Sequence, residues 1–215
     1  KRILDKVKEH LGKTPLVAQL AHAGAQSLSQ DGTPLISPSG VSSPFFKAPS
    51  RPMTKSEIER VVADFTRSAS FARDAGFDGV QLHAGHGYLL HQFLSPATNN
   101  RKDEYGLDRF RIIGEITEAI RNAVDGMPIL MKLSADEDND NGMTPLLAAQ
   151  YCERAREAGV ACCELSYGTM DYAMNIFRGG VPVKEALQHT KALNSLSPLA
   201  RTAFRTVGVG LIKRK

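Results

Sequence analysis

The sequence lacks the patterns that mark secreted, membrane and zinc-ribbon proteins. Its 215 residues include only three cysteines and no CxxC pair, which predicts reduced, buried thiols rather than a disulfide framework or a zinc ribbon. The apolar runs are far shorter than the roughly 18 to 20 residues needed to cross a bilayer, and residues 1–20 do not have the layout of a signal peptide. We therefore expect a cytoplasmic protein with no membrane partner.

Neither positive nor negative residues are in large excess. Lysine and arginine number 27 against 23 aspartates and glutamates, a formal net charge of +4. Nucleic-acid binding requires clustered basic residues, and outside the basic C-terminal tail none are interleaved with aromatic residues. The charge pattern argues against a nucleic-acid partner and leaves a homo-oligomer open.

Four short apolar runs predict buried parallel strands, at residues 16–20, 79–82, 129–133 and 161–165. Helical patterns alternate with them, at 2–10, 54–76, 109–124 and 145–159. This alternation predicts βαβ units and therefore an α/β fold. No G-x-G-x-x-G follows the first strand, which disfavours a dinucleotide-binding sheet and favours a (β/α)₈ TIM barrel.

Polar side chains capable of chemistry lie at the C-terminal end of every predicted strand: Gln19 and His22, then His83, His86 and Tyr88, then Lys132, then Ser166 and Tyr167. A TIM barrel builds its active site at this end of its strands. The connection over residues 21–53, rich in proline, serine and glycine, is predicted to be a loop on the same side. Loops of that length are uncommon without a function.

The segment around His83, His86 and Tyr88 is the most informative. The two imidazoles could converge on one oxygen atom, and the phenol could deliver a proton nearby. A metal-dependent hydrolase is an alternative, with His91 or His22 as a further ligand, although no H-E-x-x-H motif occurs. A purely structural role for the histidines also stays open, because loop histidines often bond only to backbone.

The run GVQLHAGHGYLLHQFLSPATNNRKDEYG at residues 79–106 closely resembles the fourth-strand region of the old yellow enzyme family of FMN-dependent ene-reductases. VAQLAHAGAQS at 17–27, PILMKLSADE at 128–137 and CELSYGT at 163–169 resemble that family's third, fifth and sixth strands. The resemblance implies a partial TIM-barrel flavin oxidoreductase domain over residues 1–190, followed by a divergent basic segment at 191–215.

The resemblance also implies a role for each matching residue. Gln19 would hydrogen-bond the pyrimidine edge of FMN, and Lys132 would lie beside the flavin N1 and O2 atoms, where a cation stabilises the anionic reduced flavin. His83 and His86 would bind the oxygen of a small activated alkene, and Tyr88 would protonate its α carbon. NAD(P)H would be the hydride donor. Structural roles stay open: Gln19 as a strand-end cap, Tyr88 as a packed rim residue and Lys132 in an ion pair.

The sequence also departs from the family pattern. Ala25 stands where arginine usually follows the H-A-G motif, and the turn after Gly106 is shorter. Only four strands are recognised, so we expect an incomplete barrel that lacks the phosphate-binding strands of the family. The alternative to an active oxidoreductase is therefore a truncated, non-catalytic remnant that binds flavin weakly or not at all.

Overall fold

The computed structural model describes residues 2–28, 32–137 and 139–171. The helices are α1 (Arg2–Leu11), α2 (Lys55–Ala75), α3 (Leu89–Leu94), α4 (Glu104–Leu107), α5 (Arg111–Ala123) and α6 (Pro145–Ala158). The strands are β1 (Val17–Leu20), β2 (Leu35–Ser37), β3 (Ser50–Pro52), β4 (Gly79–Ala84), β5 (Ile129–Ser134) and β6 (Cys162–Ser166). The predicted boundary at residue 190 and the basic tail lie outside the described residues.

The main sheet contains four parallel strands in the order β1-β4-β5-β6. These four strands are neighbours in the same order as in the chain, with at least one helix between each consecutive pair. The register places Gln19 opposite Gln81, His83 opposite Lys132, and Lys132 opposite Glu164. This connectivity is that of consecutive βα units in a barrel, as the alternation of patterns predicted.

The long helices begin and end at local sequence signals. Thr54 and Glu57 form a reciprocal capping box at the start of α2, and Gly76 ends that helix with a φ of 102°. Thr144 caps α6, which ends at Gly159 with a φ of 96°. A left-handed backbone is cheap for glycine, so both helices stop where a strand must begin.

The core lies between the helices and one face of the sheet. Because side chains alternate along a strand, the residues that face the helices form one set: Val80, Leu82, Ala84, Met131 and Leu133, all fully buried. They pack with the apolar faces of α2 and α5, which include Ile58, Val61, Phe65, Ala69, Ile112, Ile113, Ile116 and Ile120. Each large side chain buried in this way contributes about 1.5–3 kcal/mol. The opposite face of the sheet, here called the inner face, is polar and carries Gln19, Gln81, His83, Lys132 and Glu164.

Residues 21–53 contain more regular structure than the predicted loop. They include a 3₁₀ turn at Gly24–Gln26 and the strands β2 and β3, which pair in parallel as a small second sheet. The Arg101 guanidinium donates to the carbonyls of Pro38 and Met53, both at 2.6 Å. These bonds hold the segment against the connection that follows β4.

The prediction of buried thiols was wrong. All three cysteines are free, but Cys162 is exposed, and Cys152 and Cys163 are half-buried. Alternation along β6 puts Cys162 on the same side as Glu164, away from the helices. In the described ranges, no helix is long and apolar enough to cross a membrane.

Candidate active site

One polar side chain from each main strand joins a hydrogen-bonded chain across the inner face. Gln19 Nε2 donates to Gln81 Oε1 at 2.6 Å, and Gln81 Nε2 donates to Glu164 Oε2 at 2.8 Å. The other carboxylate oxygen, Oε1, lies 2.9 Å from Lys132 Nζ. The two residues predicted to contact flavin, Gln19 and Lys132, are thus connected through two residues that the sequence did not single out.

The Lys132–Glu164 contact is an ion pair on a partly solvated face. Hydrogen bonds from Lys132, and then from Gln81, lower the pKa of Glu164, so its carboxylate is ionised at neutral pH. The side chain of Glu164 is 52% exposed and that of Lys132 is 21% exposed. Lys132 therefore forms an ion pair, and its ammonium remains on the inner face.

The two histidines and the tyrosine at the C-terminal end of β4 lie close together. The ring centroids of His83 and His86 are 5.0 Å apart, and those of His83 and Tyr88 are 4.8 Å apart, both edge to face. His83 Nε2 and His86 Nδ1 are separated by 3.4 Å. His83 is buried, whereas His86 and Tyr88 are half-buried.

The backbone of His86 has a left-handed conformation, with a φ of 58°. A non-glycine residue in this region costs roughly 1–2 kcal/mol, and three segments of the chain hold it there. The His86 amide donates to Ser134 Oγ at 2.8 Å, and the Ser134 hydroxyl donates to the Gly168 carbonyl at 2.8 Å. The His86 carbonyl accepts from Gln26 Nε2 and from the Met170 amide, both at 3.2 Å. The loops after β1 and β6 and the last residue of β5 thus converge on this histidine.

Both site histidines are neutral at pH 7. Burial, and then the charges of His86 and Lys132, lowers the pKa of His83 to about 4. Burial, and then the charge of Lys132, lowers the pKa of His86. The Gly85 amide donates to His83 Nδ1 at 3.4 Å, which leaves Nε2 of that ring to carry its proton. His86 Nε2 lies 2.6 Å from Ser166 Oγ. Each neutral imidazole therefore has one N–H to donate.

The two further ligands considered for the metal alternative, His22 and His91, have other partners. His22 Nδ1 accepts from the Gly24 amide at 3.0 Å, and His91 Nε2 lies 2.6 Å from the buried Glu137. Across the part of the chain that the structure describes, no group of three or more His, Cys, Asp or Glu side chains is placed to hold a metal ion. The two companion histidines that we considered are thus engaged elsewhere.

The inner face suits one edge of a flavin. Gln19 uses its amide N–H₂ on Gln81, so its Oε1 remains an acceptor for a donor such as the flavin N3–H. Lys132 supplies a cation on the same face, two strands away. An amide acceptor and a cation match the donor and acceptor pattern of the pyrimidine edge.

Comparisons with known proteins identify the family and the fold. The sequence pattern of the NADH:flavin oxidoreductase / NADH oxidase family matches residues 1–209. The chain is 39% identical over 175 residues to an NADPH dehydrogenase of Geobacillus sp. (strain WCH70), which covers 79% of this chain and 49% of that protein. The solved structure of the old yellow enzyme homologue from Zymomonas mobilis is 27% identical, with a TM-score of 0.65, and covers 74% of this chain and 50% of that chain. For histamine dehydrogenase from Rhizobium sp. 4-9, the identity is 27% and the TM-score 0.69, covering 78% of this chain and 26% of that chain.

These matches confirm both the predicted fold and the predicted family. The chain spans about half the length of the curated relatives it matches, 49% for the Geobacillus protein. Its four-stranded parallel sheet corresponds to part of the barrel of its structural neighbours. FMN and NAD(P)H are the cofactors that the names of the family and of its relatives imply, and oxidation–reduction is its class of reaction. From the match over residues 1–209, the chain belongs to the NADH:flavin oxidoreductase / NADH oxidase family.

Proposed function

We propose that the protein containing this chain is an FMN-dependent NAD(P)H oxidoreductase that reduces small activated alkenes such as enones. The observation that carries the proposal is the cluster at the C-terminal end of β4, in which the rings of His86 and Tyr88 lie 5.0 and 4.8 Å from the ring of His83. The polar inner face, with Gln19 and Lys132, lies beside that cluster.

The two histidines would bind the electron-withdrawing oxygen of the substrate. Both imidazoles are neutral at pH 7 because burial lowers their pKa values, and each donates one N–H. His83 would give up a 3.4 Å contact with His86 to donate from Nε2. His86 would donate from Nδ1, with the Ser166 hydroxyl donating to its Nε2 at 2.6 Å. Two N–H donors aimed at one oxygen draw electron density from the conjugated alkene and activate its β carbon.

Tyr88 would deliver the proton that completes the reduction. Its ring contacts His83 edge to face at 4.8 Å, and Tyr88 follows His86 by two residues. A positioned general acid typically contributes 10²–10⁴ in rate. The proton would go from the Tyr88 hydroxyl to the α carbon.

Gln19 and Lys132 would hold the pyrimidine edge of the flavin. Gln19 Oε1 would accept from N3–H, and Lys132 would lie on the side where negative charge develops. FMN, when bound, supplies the hydride that it has accepted from NAD(P)H. The chain contributes the polar face, the oxygen-binding histidines and the proton donor.

The test is a Tyr88→Phe variant of the FMN-loaded protein, with each half-reaction followed by stopped-flow absorbance. We expect alkene reduction to slow by about 10²–10⁴, with flavin reduction by NADPH nearly unchanged. Tyr151→Phe is the matched control, because the Tyr151 hydroxyl donates to the Leu94 carbonyl at 2.9 Å, away from the site. Equal slowing of both half-reactions in Tyr88→Phe would contradict the proposed role.

Bound-flavin absorbance separates this proposal from a non-catalytic member of the family. A purified protein that is yellow, or becomes yellow with added FMN, supports an oxidoreductase. A colourless protein that takes up no FMN from millimolar solution would overturn the proposal for this chain.

A further inference from the structure

Glu164 is a charged residue of the inner face to which the proposed reaction assigns no role. Its two oxygens accept from Lys132 Nζ at 2.9 Å and from Gln81 Nε2 at 2.8 Å. When a carboxylate contacts a cation, the cation stabilises negative charge on a neighbouring ring less strongly. The presence of a carboxylate here therefore calls for a function of its own.

We propose that Glu164 is a positioning residue that fixes the direction of the Gln81–Gln19 amide chain and moderates the charge of Lys132 at the flavin edge. The inference rests on the proposed function, because it assigns the flavin to the inner face. It adds a residue that acts through Lys132 and Gln19 and that our reasoning from the sequence did not identify.

The orientation of the two amide groups follows from the hydrogen-bonding properties of a carboxylate. An ionised carboxylate only accepts hydrogen bonds, so Gln81 must turn its N–H₂ toward Glu164. The Gln81 oxygen then faces β1, where it must be met by the N–H₂ of Gln19, at 2.6 Å. Gln19 is left with its oxygen as the free end, which accepts from the flavin N3–H. A neutral amide at position 164 imposes no such order, because it donates as well as accepts.

The charge argument follows from the ion pair. Opposite charges 2.9 Å apart present a much smaller net charge to a third group than the ammonium does alone. Negative charge that develops on the pyrimidine edge during reduction is then stabilised less. The reduction potential of bound FMN is held lower than Lys132 alone would set it, which makes the reduced cofactor a stronger hydride donor toward an alkene.

Three variants separate these effects. Glu164→Gln removes the charge and keeps the size of the side chain, whereas Glu164→Asp keeps the charge. Glu118→Gln is the matched control, since it removes one negative charge from an exposed position on α5. Glu164 is half exposed, and thermal melting followed by circular dichroism verifies that each variant is folded.

The first measurement is the potential of bound FMN, by anaerobic titration against a reference dye. In Glu164→Gln we expect the equilibrium to shift about tenfold toward reduced flavin, which is about 30 mV for a two-electron couple. Glu164→Asp and Glu118→Gln should stay close to the wild type. If FMN binds the wild type and Glu164→Gln leaves its potential unchanged, the charge role is overturned while the proposed function stands. If the wild type binds no FMN, both are overturned.

The second measurement needs no cofactor. Side-chain amide resonances of Gln19 and Gln81 are compared by ¹⁵N NMR in the unloaded protein. If Glu164 orders the chain, Glu164→Gln shifts both amides, including that of Gln19, which does not contact Glu164, and Glu164→Asp restores them. A change confined to Gln81 would overturn the ordering role independently of any result with FMN.

Discussion

The Ser134 hydroxyl is the best point at which to test how the site loop is held. Ser134 is fully buried, and its oxygen accepts from the His86 amide and donates to the Gly168 carbonyl, both at 2.8 Å. Ser134→Ala removes both bonds without adding bulk. Two backbone groups are left unpaired, and each such buried group costs about 1–3 kcal/mol.

We expect Ser134→Ala to lower the free energy of unfolding by about 3 kcal/mol, because half-buried His86 recovers part of its loss from water. Urea denaturation at pH 7 measures this change. The His86 amide should also exchange with solvent faster in native-state hydrogen exchange, since its only acceptor among the described residues is gone. That second measurement reports on the left-handed residue itself.

The matched control is Ser68→Ala on α2. The Ser68 hydroxyl donates to the Asp64 carbonyl at 2.7 Å within the helix, and alanine is the better helix former. We expect its stability to change by less than about 0.5 kcal/mol. A similarly small effect of Ser134→Ala, with His86 exchange unchanged, would refute the view that Ser134 holds the site loop.

Two further predictions concern the histidines. His83 titrates near 6.5 when unfolded and near a pKa of about 4 when folded, so the unfolded state binds the proton first as the pH falls. The stability that this ring contributes should be complete above pH 6.5 and decline toward pH 4, by about 2 kcal/mol after allowance for solvent screening. Urea midpoints between pH 7 and pH 5 measure this slope, which His83→Asn should flatten; an unchanged slope would contradict the assignment. Replacing both His83 and His86 by alanine should weaken phenolic ligands, measured by their charge-transfer band with bound flavin, without altering metal content. Stoichiometric zinc or iron that vanished in the double variant would instead favour the metal alternative.

Much of the fold could be predicted because its signals are local. The capping box of Thr54 and Glu57, the glycines that end α2 and α6, and the short apolar runs each act over a few residues, and the structure has elements at those positions. The small sheet of β2 and β3 was missed. Its strands are three residues each, too short to leave a periodic pattern, and contacts with Arg101 from a distant segment hold them in place.

Some residues of the candidate site could be identified from the sequence and others could not. His83, His86 and Tyr88 lie within six consecutive residues, so one turn of chain brings them together and the sequence alone identified the cluster. Gln81, Ser134 and Glu164 were not identified, since each lies within or at the end of a run that is otherwise apolar. Alternation along a strand places such a side chain on the inner face, but the register between strands decides which side chains it contacts there.

The sequence by itself determined the order of strands and helices, the family and the residues capable of acid–base chemistry, because these depend on local pattern. Tertiary structure alone decided that Lys132 contacts Glu164, that Ser134 holds His86 in a left-handed conformation, and that Cys162 is exposed. The first two involve contacts between residues more than 30 positions apart in the chain, and the third depends on which face of a strand is covered. They follow from strand register and packing, which no short segment of the chain encodes alone.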